Sequence, residues 1–273
     1  MKSVAQHSFT CIMVLLIGVV VYRADAVLQL YEPFTNGPIG ESAAFTAGGS
    51  GLWTDGWLFD FGPNAHTDRF MFTSGLSFLN LQSSGYAVHN WSFDPARPFD
   101  ASGMGTPGST NWFSLLFFTT NCVDDHRLRI FTSYTGLSGQ GIGFNLGAAN
   151  GGSLYGKIGN QTSAGAVVGL NNAVHLVLGQ AVWAEETNVT LNIWVDPSER
   201  FQEALLGVPP VTISGTATAF FSTNCSLFIR AEIEKDIVYD EIRMGTTMID
   251  VLPLPEPLGL IGLGLVAALW RRR

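Results

Sequence analysis

Between residues 27 and 252 the side chains keep a period of two, and this confines the segment to β-structure. Leu191, Ile193 and Val195 alternate with Thr190, Asn192 and Trp194. Val174, Leu176 and Leu178 alternate with Ala173, His175 and Val177. Leu227, Ile229, Ala231 and Ile233 alternate with Phe228, Arg230 and Glu232. Successive residues of a strand point to opposite faces, so these patterns are those of half-buried strands. Trp112 to Phe118 is almost continuously apolar, as in a central strand buried on both faces. Further strands are expected over 28–31, 76–81, 86–91, 128–134, 141–146, 154–158 and 237–244. Turn formers separate them: Gly48-Gly49-Ser50-Gly51, Asn150-Gly151-Gly152, Asp196-Pro197 and Val208-Pro209-Pro210. No long helical period, βαβ rhythm or internal repeat interrupts the pattern. The fold class that follows is all-β, two antiparallel sheets packed as a sandwich. With 47% hydrophobic residues and 31 glycines, the chain can fill such a core and turn tightly between strands.

The two ends obey different rules. Lys2 precedes an apolar stretch from Cys11 to Tyr22 and then Ala24-Asp25-Ala26. A charged start, an apolar centre and a small-x-small site make a secretory signal over 1–26, expected to be helical and cut after Ala26. An uncleaved signal anchor is the alternative. Residues 253–273 begin with a proline cluster containing Pro255, Glu256 and Pro257. An uncharged run from Leu258 to Trp270 follows, and then Arg271, Arg272 and Arg273. The prolines end any incoming strand. The 13 uncharged residues would span roughly 20 Å as a helix. A hydrocarbon core needs about 20 residues, so Trp270 and the arginines must reach the far interface for this short membrane helix to span. Three arginines favour a cytoplasmic C-terminus. A buried core helix is the plain alternative, but it would rarely end in three arginines.

This order of Pro-Glu-Pro, short apolar span and terminal arginines resembles the PEP-CTERM sorting tail of exopolysaccharide-producing bacteria. The resemblance implies export, transient anchoring in the inner membrane, processing by an exosortase, and a final place on the cell surface or in the extracellular matrix. The segment 27–252 has a resemblance of its own. It opens with Leu30-Tyr31-Glu32-Pro33-Phe34, continues through Gly49-Ser50-Gly51-Leu52-Trp53 and Leu191-Asn192-Ile193-Trp194-Val195-Asp196-Pro197, and closes on Tyr239-Asp240-Glu241-Ile242-Arg243-Met244-Gly245. These pieces resemble the concanavalin-A-like, laminin-G-like jelly rolls that precede such tails. That likeness implies a jelly-roll sandwich with a carbohydrate- or matrix-facing role; fold alone does not fix function.

Charge narrows the partners. Removing both ends takes five of the 14 basic and two of the 22 acidic residues, leaving nine against 20 and a net charge of −11. Such a surface excludes nucleic acid and disfavours anionic membranes. It suits neutral glycans or bound cations. Two cysteines lie in this segment, Cys122 and Cys225. In an oxidising compartment they are a disulfide candidate, with two separate buried thiols as the alternative.

Catalytic signals are sparse. Glu232, Glu234 and Asp236 would share one strand face, neighbours about 7 Å apart, within the ~5–9.5 Å over which glycosidases space two carboxyls. Laminarinase-type glucanases carry Glu-x-Asp-x-(x)-Glu on such a strand; Glu-x-Glu-x-Asp departs from that order. Arg230 and Lys235 stand close enough to keep these carboxyls ionised, which is wrong for a general acid, so a solvated face is the favoured reading. Glu32, Glu41 or Glu241 could supply a partner from elsewhere in the chain. His66, His89, His126 and His175 show no zinc-ligand spacing. Asp124 and Asp125, beside His126, are weak calcium candidates in what otherwise reads as an exposed turn. There is no Gly-x-Ser-x-Gly elbow and no phosphate-loop lysine. Of the tryptophans, Trp53 and Trp112 are expected in the core. Trp194 lies opposite Leu191, Ile193 and Val195, which makes it the better candidate to face a ligand, with Glu232 and Glu234. The missing catalytic motif favours a non-catalytic surface protein associated with exopolysaccharide over an exported glycoside hydrolase or lyase on the same fold.

Overall fold

The computed structural model of the chain describes residues 27–32, 50–54, 71–72, 76–78, 81–82, 88–89, 96–119, 126–133, 141–147, 153–163, 167–170, 172–185, 188–198, 202–216, 225–230 and 237–252. In chain order the strands are β1 (Leu28–Glu32), β2 (Ser50–Gly51), β3 (Met71–Phe72), β4 (Ser77–Phe78), β5 (Leu81–Gln82), β6 (Val88–His89), β7 (Ala96–Phe99), β8 (Thr110–Thr119), β9 (His126–Ser133), β10 (Ile142–Gly147), β11 (Ser153–Ile158), β12 (Gln161–Thr162), β13 (Val174–Trp183), β14 (Asn188–Val195), β15 (Val211–Thr216), β16 (Cys225–Arg230) and β17 (Ile237–Gly245). A 3₁₀ turn at Glu203–Leu205 and one short helix, α1 (Met248–Val251), complete the described elements. No helix among the described residues is long and apolar enough to cross a membrane. The expected signal (1–26) and tail (253–273) lie outside the described residues.

Two antiparallel sheets face each other. The first runs β15-β14-β13-β8-β17-β1-β2, with β6 and β3 branching from β17, and the second runs β12-β11-β10-β9-β16-β7. The expected two-sheet antiparallel architecture is therefore present. β8 lies in the middle of the first sheet between β13 and β17. That position explains its apolar run. Phe113, Leu115 and Phe117 point into the space between the sheets, while Trp112 and Leu116 point the other way. Facing the first set are Leu128, Ile130, Ile142, Phe144, Leu154, Leu227 and Ile229 of the second sheet, all fully buried. Gly179 of β13 leaves room for the Phe113 ring: a Cβ there would lie 2.0 Å from the ring carbon Cζ.

A second apolar cluster covers the outer face of the first sheet. Met248, Val251 and Leu252, from α1 and its C-cap, join Trp112, Leu116, Leu176, Leu178 and Trp194 in this cluster. α1 is held by its cap: Thr247 and Asp250 bond each other's backbone N–H reciprocally. Ser114 donates to the Val251 carbonyl and Arg243 Nη1 to the Leu252 carbonyl at 3.2 Å.

The sandwich is closed along one edge by residues 50–54. Leu52 N donates to Gln29 O in the first sheet at 3.0 Å; Thr54 N donates to Pro98 O in the second at 3.1 Å, and Asp100 N returns a bond to Leu52 O at 2.9 Å. The same edge holds an ion pair that spans the layers, from Glu32 of β1 to Arg97 of β7.

One strand reading needs correction, and two strands of four or more residues, β7 and β15, lie outside the expected set. The segment 76–81, expected as one strand, is a hairpin in which Ser77 pairs Gln82 and Phe78 pairs Leu81. β7 was not anticipated because it contains Pro98. It is an edge strand, where a residue without an N–H is tolerated. β15 was hidden behind Pro209-Pro210, which end the preceding loop without preventing a strand from starting at Val211.

Candidate functional site

Trp194 is not a ligand-facing residue. It does lie on the face opposite Leu191 and Ile193, as its parity requires, but that face is covered. Its ring stacks on Trp112 with centroids 6.0 Å apart, its Nε1–H donates to Gly207 O at 3.4 Å, and only 7% of the residue is exposed. Trp112 is in the core as expected, within the outer cluster. Trp53 is half-buried against the inner core, with the Arg97 guanidinium 4.3 Å from its ring centroid. Trp183 is buried and donates to Asn111 Oδ1 at 3.0 Å. Trp112, Trp183 and Trp194 are all buried, so none of these three offers an open indole face for sugar stacking.

Cys225 is buried at the head of β16. Cys122, Asp124, Asp125, Glu41, Glu232, Glu234, Asp236, Ala24, Ala26, Pro255, Glu256, Pro257, Arg271, Arg272 and Arg273 lie outside the described residues. Among the described residues no three metal-ligating side chains converge.

Glu32 and Glu241 are committed to arginines. Glu32 is fully buried and paired with Arg97. Glu241, at a β-bulge of β17 with φ of 52°, accepts from Arg243 Nη2 at 2.7 Å and Nε at 3.2 Å. It also accepts from Tyr31 Oη–H at 3.0 Å. The Arg243 guanidinium lies 4.5 Å from the Tyr31 ring centroid. Burial, and secondarily the Glu241 charge, pushes the Tyr31 phenol well above its ordinary range. Each carboxylate is occupied by an arginine at hydrogen-bond distance, so neither glutamate stands free toward a substrate.

The open chemistry lies on the outer face of β13, β14 and β15. Leu191, Ile193, Val211 and Ile213 of these strands point into the core, which turns Gln180, Asn188, Thr190, Asn192, Thr212, Ser214 and Thr216 outward. Strand register sets them directly opposite one another: Gln180 by Asn192, Asn192 by Thr212, Thr190 by Ser214, and Asn188 by Thr216. Each pair is bonded. Asn192 Nδ2 donates to Gln180 Oε1 at 3.0 Å and Thr212 Oγ1 to Asn192 Oδ1 at 3.0 Å. The Thr190 and Ser214 hydroxyls are 2.8 Å apart, and Thr216 Oγ1 donates to Asn188 Oδ1 at 3.3 Å. At the margins Gln180 Nε2 reaches Glu203 Oε1 at 2.9 Å and Asn188 Nδ2 reaches Glu185 Oε2 at 2.7 Å.

These rows run into an open depression of about 360 Å³, lined by Gln161, Ala184, Asn188, Val189, Thr190, Ser214, Gly215 and Thr216. No lining side chain is charged. Gln161 belongs to β12 of the second sheet and reaches over the sandwich edge because Gly215 has no side chain: a Cβ there would lie 1.7 Å from Gln161 Oε1. Sequence reasoning passed over these residues by weighing aromatics and carboxylates. The available signal was the run of amides and hydroxyls on one parity, Asn188, Thr190 and Asn192, then Thr212, Ser214 and Thr216.

A separate dyad stands where β13 begins and β14 ends. His175 Nδ1 is 2.6 Å from Asp196 Oδ2, while Asp196 Oδ1 accepts from Leu176 N at 2.8 Å. Asp196 has φ of 48°. His175 Nε2 is buried without a hydrogen-bond partner.

No protein-family model matches the chain, and no curated protein matches it. Several solved structures are partly similar to it. An endo-β-1,4-glucuronan lyase from the fungus Trichoderma reesei is 12% identical over 83% of this chain and 99% of the lyase, with a TM-score of 0.44. A protein of unknown function from Shewanella oneidensis MR-1 is 12% identical over 84% of this chain and 92% of its own, with a TM-score of 0.48. A galectin of Caenorhabditis elegans is 10% identical over 55% of this chain and 88% of its own, with a TM-score of 0.32. At these values the likeness is one of shape and carries no function across.

Proposed function

We propose that this chain is an exported bacterial surface or extracellular-matrix protein whose jelly-roll domain holds polysaccharide without cleaving it. Its tail would anchor it transiently in the inner membrane until an exosortase processes it. The observation that carries the binding role is the uncharged amide and hydroxyl surface of β13, β14 and β15 beside the depression. Amides and hydroxyls both donate and accept, which matches the hydroxyls of a sugar ring. The acidic balance of the chain, net −8, favours neutral polymers over anionic ones.

Neutral hydrogen bonds contribute about 0.5–1.5 kcal/mol each, so a few of them give affinities near the millimolar range at one site. Retention then depends on many sites along one polymer. The test is retention of the full chain on a panel of neutral and anionic polysaccharides, for the wild type and for Asn188→Ala combined with Asn192→Ala. Binding to a neutral polymer that is lost in a still-folded double variant supports the proposal. No retention on any polymer, or retention unchanged by the double variant, defeats it.

A second reading, cleavage of the polysaccharide, starts from the His175–Asp196 pair, whose buried Nε2 would have to be uncovered to meet a substrate. Product release from the same panel that disappears with His175→Gln would favour the enzyme.

A further inference from the structure

Val27, the first residue after the expected signal, lies against the last turn of the domain. Its backbone N donates to Thr246 Oγ1 at 3.3 Å, and Thr246 N donates to the Val27 carbonyl at 3.2 Å. The Thr246 hydroxyl in turn donates to Asp250 Oδ2 at 3.5 Å. Gly245 allows this approach. The position a Cβ would take there is 2.6 Å from Asp250 Cβ, 3.1 Å from Val27 O and 3.2 Å from Asp250 Oδ2. Any side chain at 245 would push Asp250 away from Val27.

In the chain as translated, Val27 N is a neutral amide with one proton. Hydrolysis of the Ala26–Val27 bond would turn it into an ammonium with three. We propose that Thr246 and Asp250 form a receiving site for that α-ammonium, so that removal of the signal adds an ion pair to α1, the element from which the C-terminal tail departs. The proposal rests on reading 1–26 as a cleaved signal.

Three features support it. A donor-acceptor line from Val27 N to the Asp250 carboxylate already exists through Thr246, its two steps 3.3 and 3.5 Å long. The carboxylate has capacity to spare, because its bonds to Thr247 N at 2.9 Å and Thr247 Oγ1 at 2.8 Å fall on the same oxygen, Oδ2. The other charges that the described residues bring near this corner are engaged elsewhere. β1 brings Glu32, paired with Arg97. β17 brings Arg243, paired with Glu241, and Asp240, which accepts from Leu76 N and Glu241 N. β2 and β8 bring no charged side chain. Among the described residues, Asp250 is the charged one beside Val27.

The consequence is a dependence on pH and on processing together. An α-ammonium ordinarily titrates near pH 7.7–8.0, roughly. A carboxylate partner raises that value in the folded state, so the added stability is present below about pH 8 and is lost as pH rises through the raised value. Val27 is 52% exposed, so the gain is that of a surface pair, about 1–3 °C in Tm for a domain of this size.

The test compares thermal midpoints near pH 6.5 and near pH 10 for the unprocessed chain and for the chain processed to Val27, the latter as wild type, Asp250→Asn and Thr246→Val, each with the Val27 amine free and selectively acetylated. Thr246→Val removes the relay while leaving the Thr247–Asp250 cap bonds in place. The expected result is a higher midpoint for the processed chain than for its acetylated counterpart at the lower pH. That difference should vanish near pH 10, vanish in Asp250→Asn and shrink in Thr246→Val. Equal midpoints for the free and acetylated chains near pH 6.5, or a gain that survives Asp250→Asn, overturn the ammonium site. Terminal sequencing of the exported protein checks the premise separately: a first residue other than Val27 overturns the processing step, and that failure is distinct from failure of the site.

Discussion

Glu32 and Arg97 carry opposite charges through the interior from one sheet to the other, with side-chain exposures of 0% and 7%. Burial of two ions is costly, and their attraction does little more than offset it; loss of one partner is another matter, because the other charge stays buried without that attraction. Arg97→Ala is therefore expected to lower the unfolding free energy by about 3–5 kcal/mol, read from urea midpoints. Joint replacement by Arg97→Met and Glu32→Leu should recover most of that loss. Tyr31 makes a prediction of opposite character. Its phenol is held neutral in the folded domain, whereas an unfolded tyrosine ionises near pH 10, roughly. Above that pH the unfolded chain binds fewer protons than the folded one, so stability falls as pH rises. Urea midpoints between about pH 9 and pH 11 should show this slope, and Tyr31→Phe should flatten it. At this scale sequence is informative about direction and poor about cover. The parity of Trp194 was legible. Its burial was not, because what packs on it, the Trp112 ring and the Gly207 carbonyl, comes from elsewhere in the chain.

Strand content was legible wherever burial imposed a pattern. β8, β13, β14 and β17 each lie where their alternation or apolar run places them. The short pieces were illegible for a physical reason: two-residue strands such as β4 and β5 are too brief for a period to develop. The candidate surface was hidden differently. Its residues are outward by parity, but only the pairing of β13 with β14 and of β14 with β15 turns isolated amides into facing rows. One glycine tests how the depression beside these rows is built. In Gly215→Ala the new methyl would meet the end of the flexible Gln161 side chain. Gln161 can swing away at little cost, so Tm should change by less than about 2 °C. Polysaccharide retention should nevertheless fall, because the carboxamide leaves the depression. Retention unchanged in this variant would remove Gln161 from the site.

The two-sheet class was legible in the molecule as a whole, but the strand order was not. β8 pairs β17 more than a hundred residues later, and β9 and β7 meet only through β16. No local pattern encodes such partners; they are selected when the two faces close on each other. The sorting reading of the tail makes its own prediction at this scale. Mass spectrometry of the surface-exposed protein should find Arg271, Arg272 and Arg273 missing, and an intact C-terminus on the exported form would refute exosortase processing.

The strand that opens the domain lies beside the strand that closes it, with Leu28 opposite Gly245. In topological terms the domain is nearly a closed ring, interrupted at one corner. Such a unit can be spliced into the loop of an unrelated host, since its two ends need a gap no wider than a strand pair. It can also be cut open elsewhere on the ring once Leu252 is joined to Val27 by a short linker.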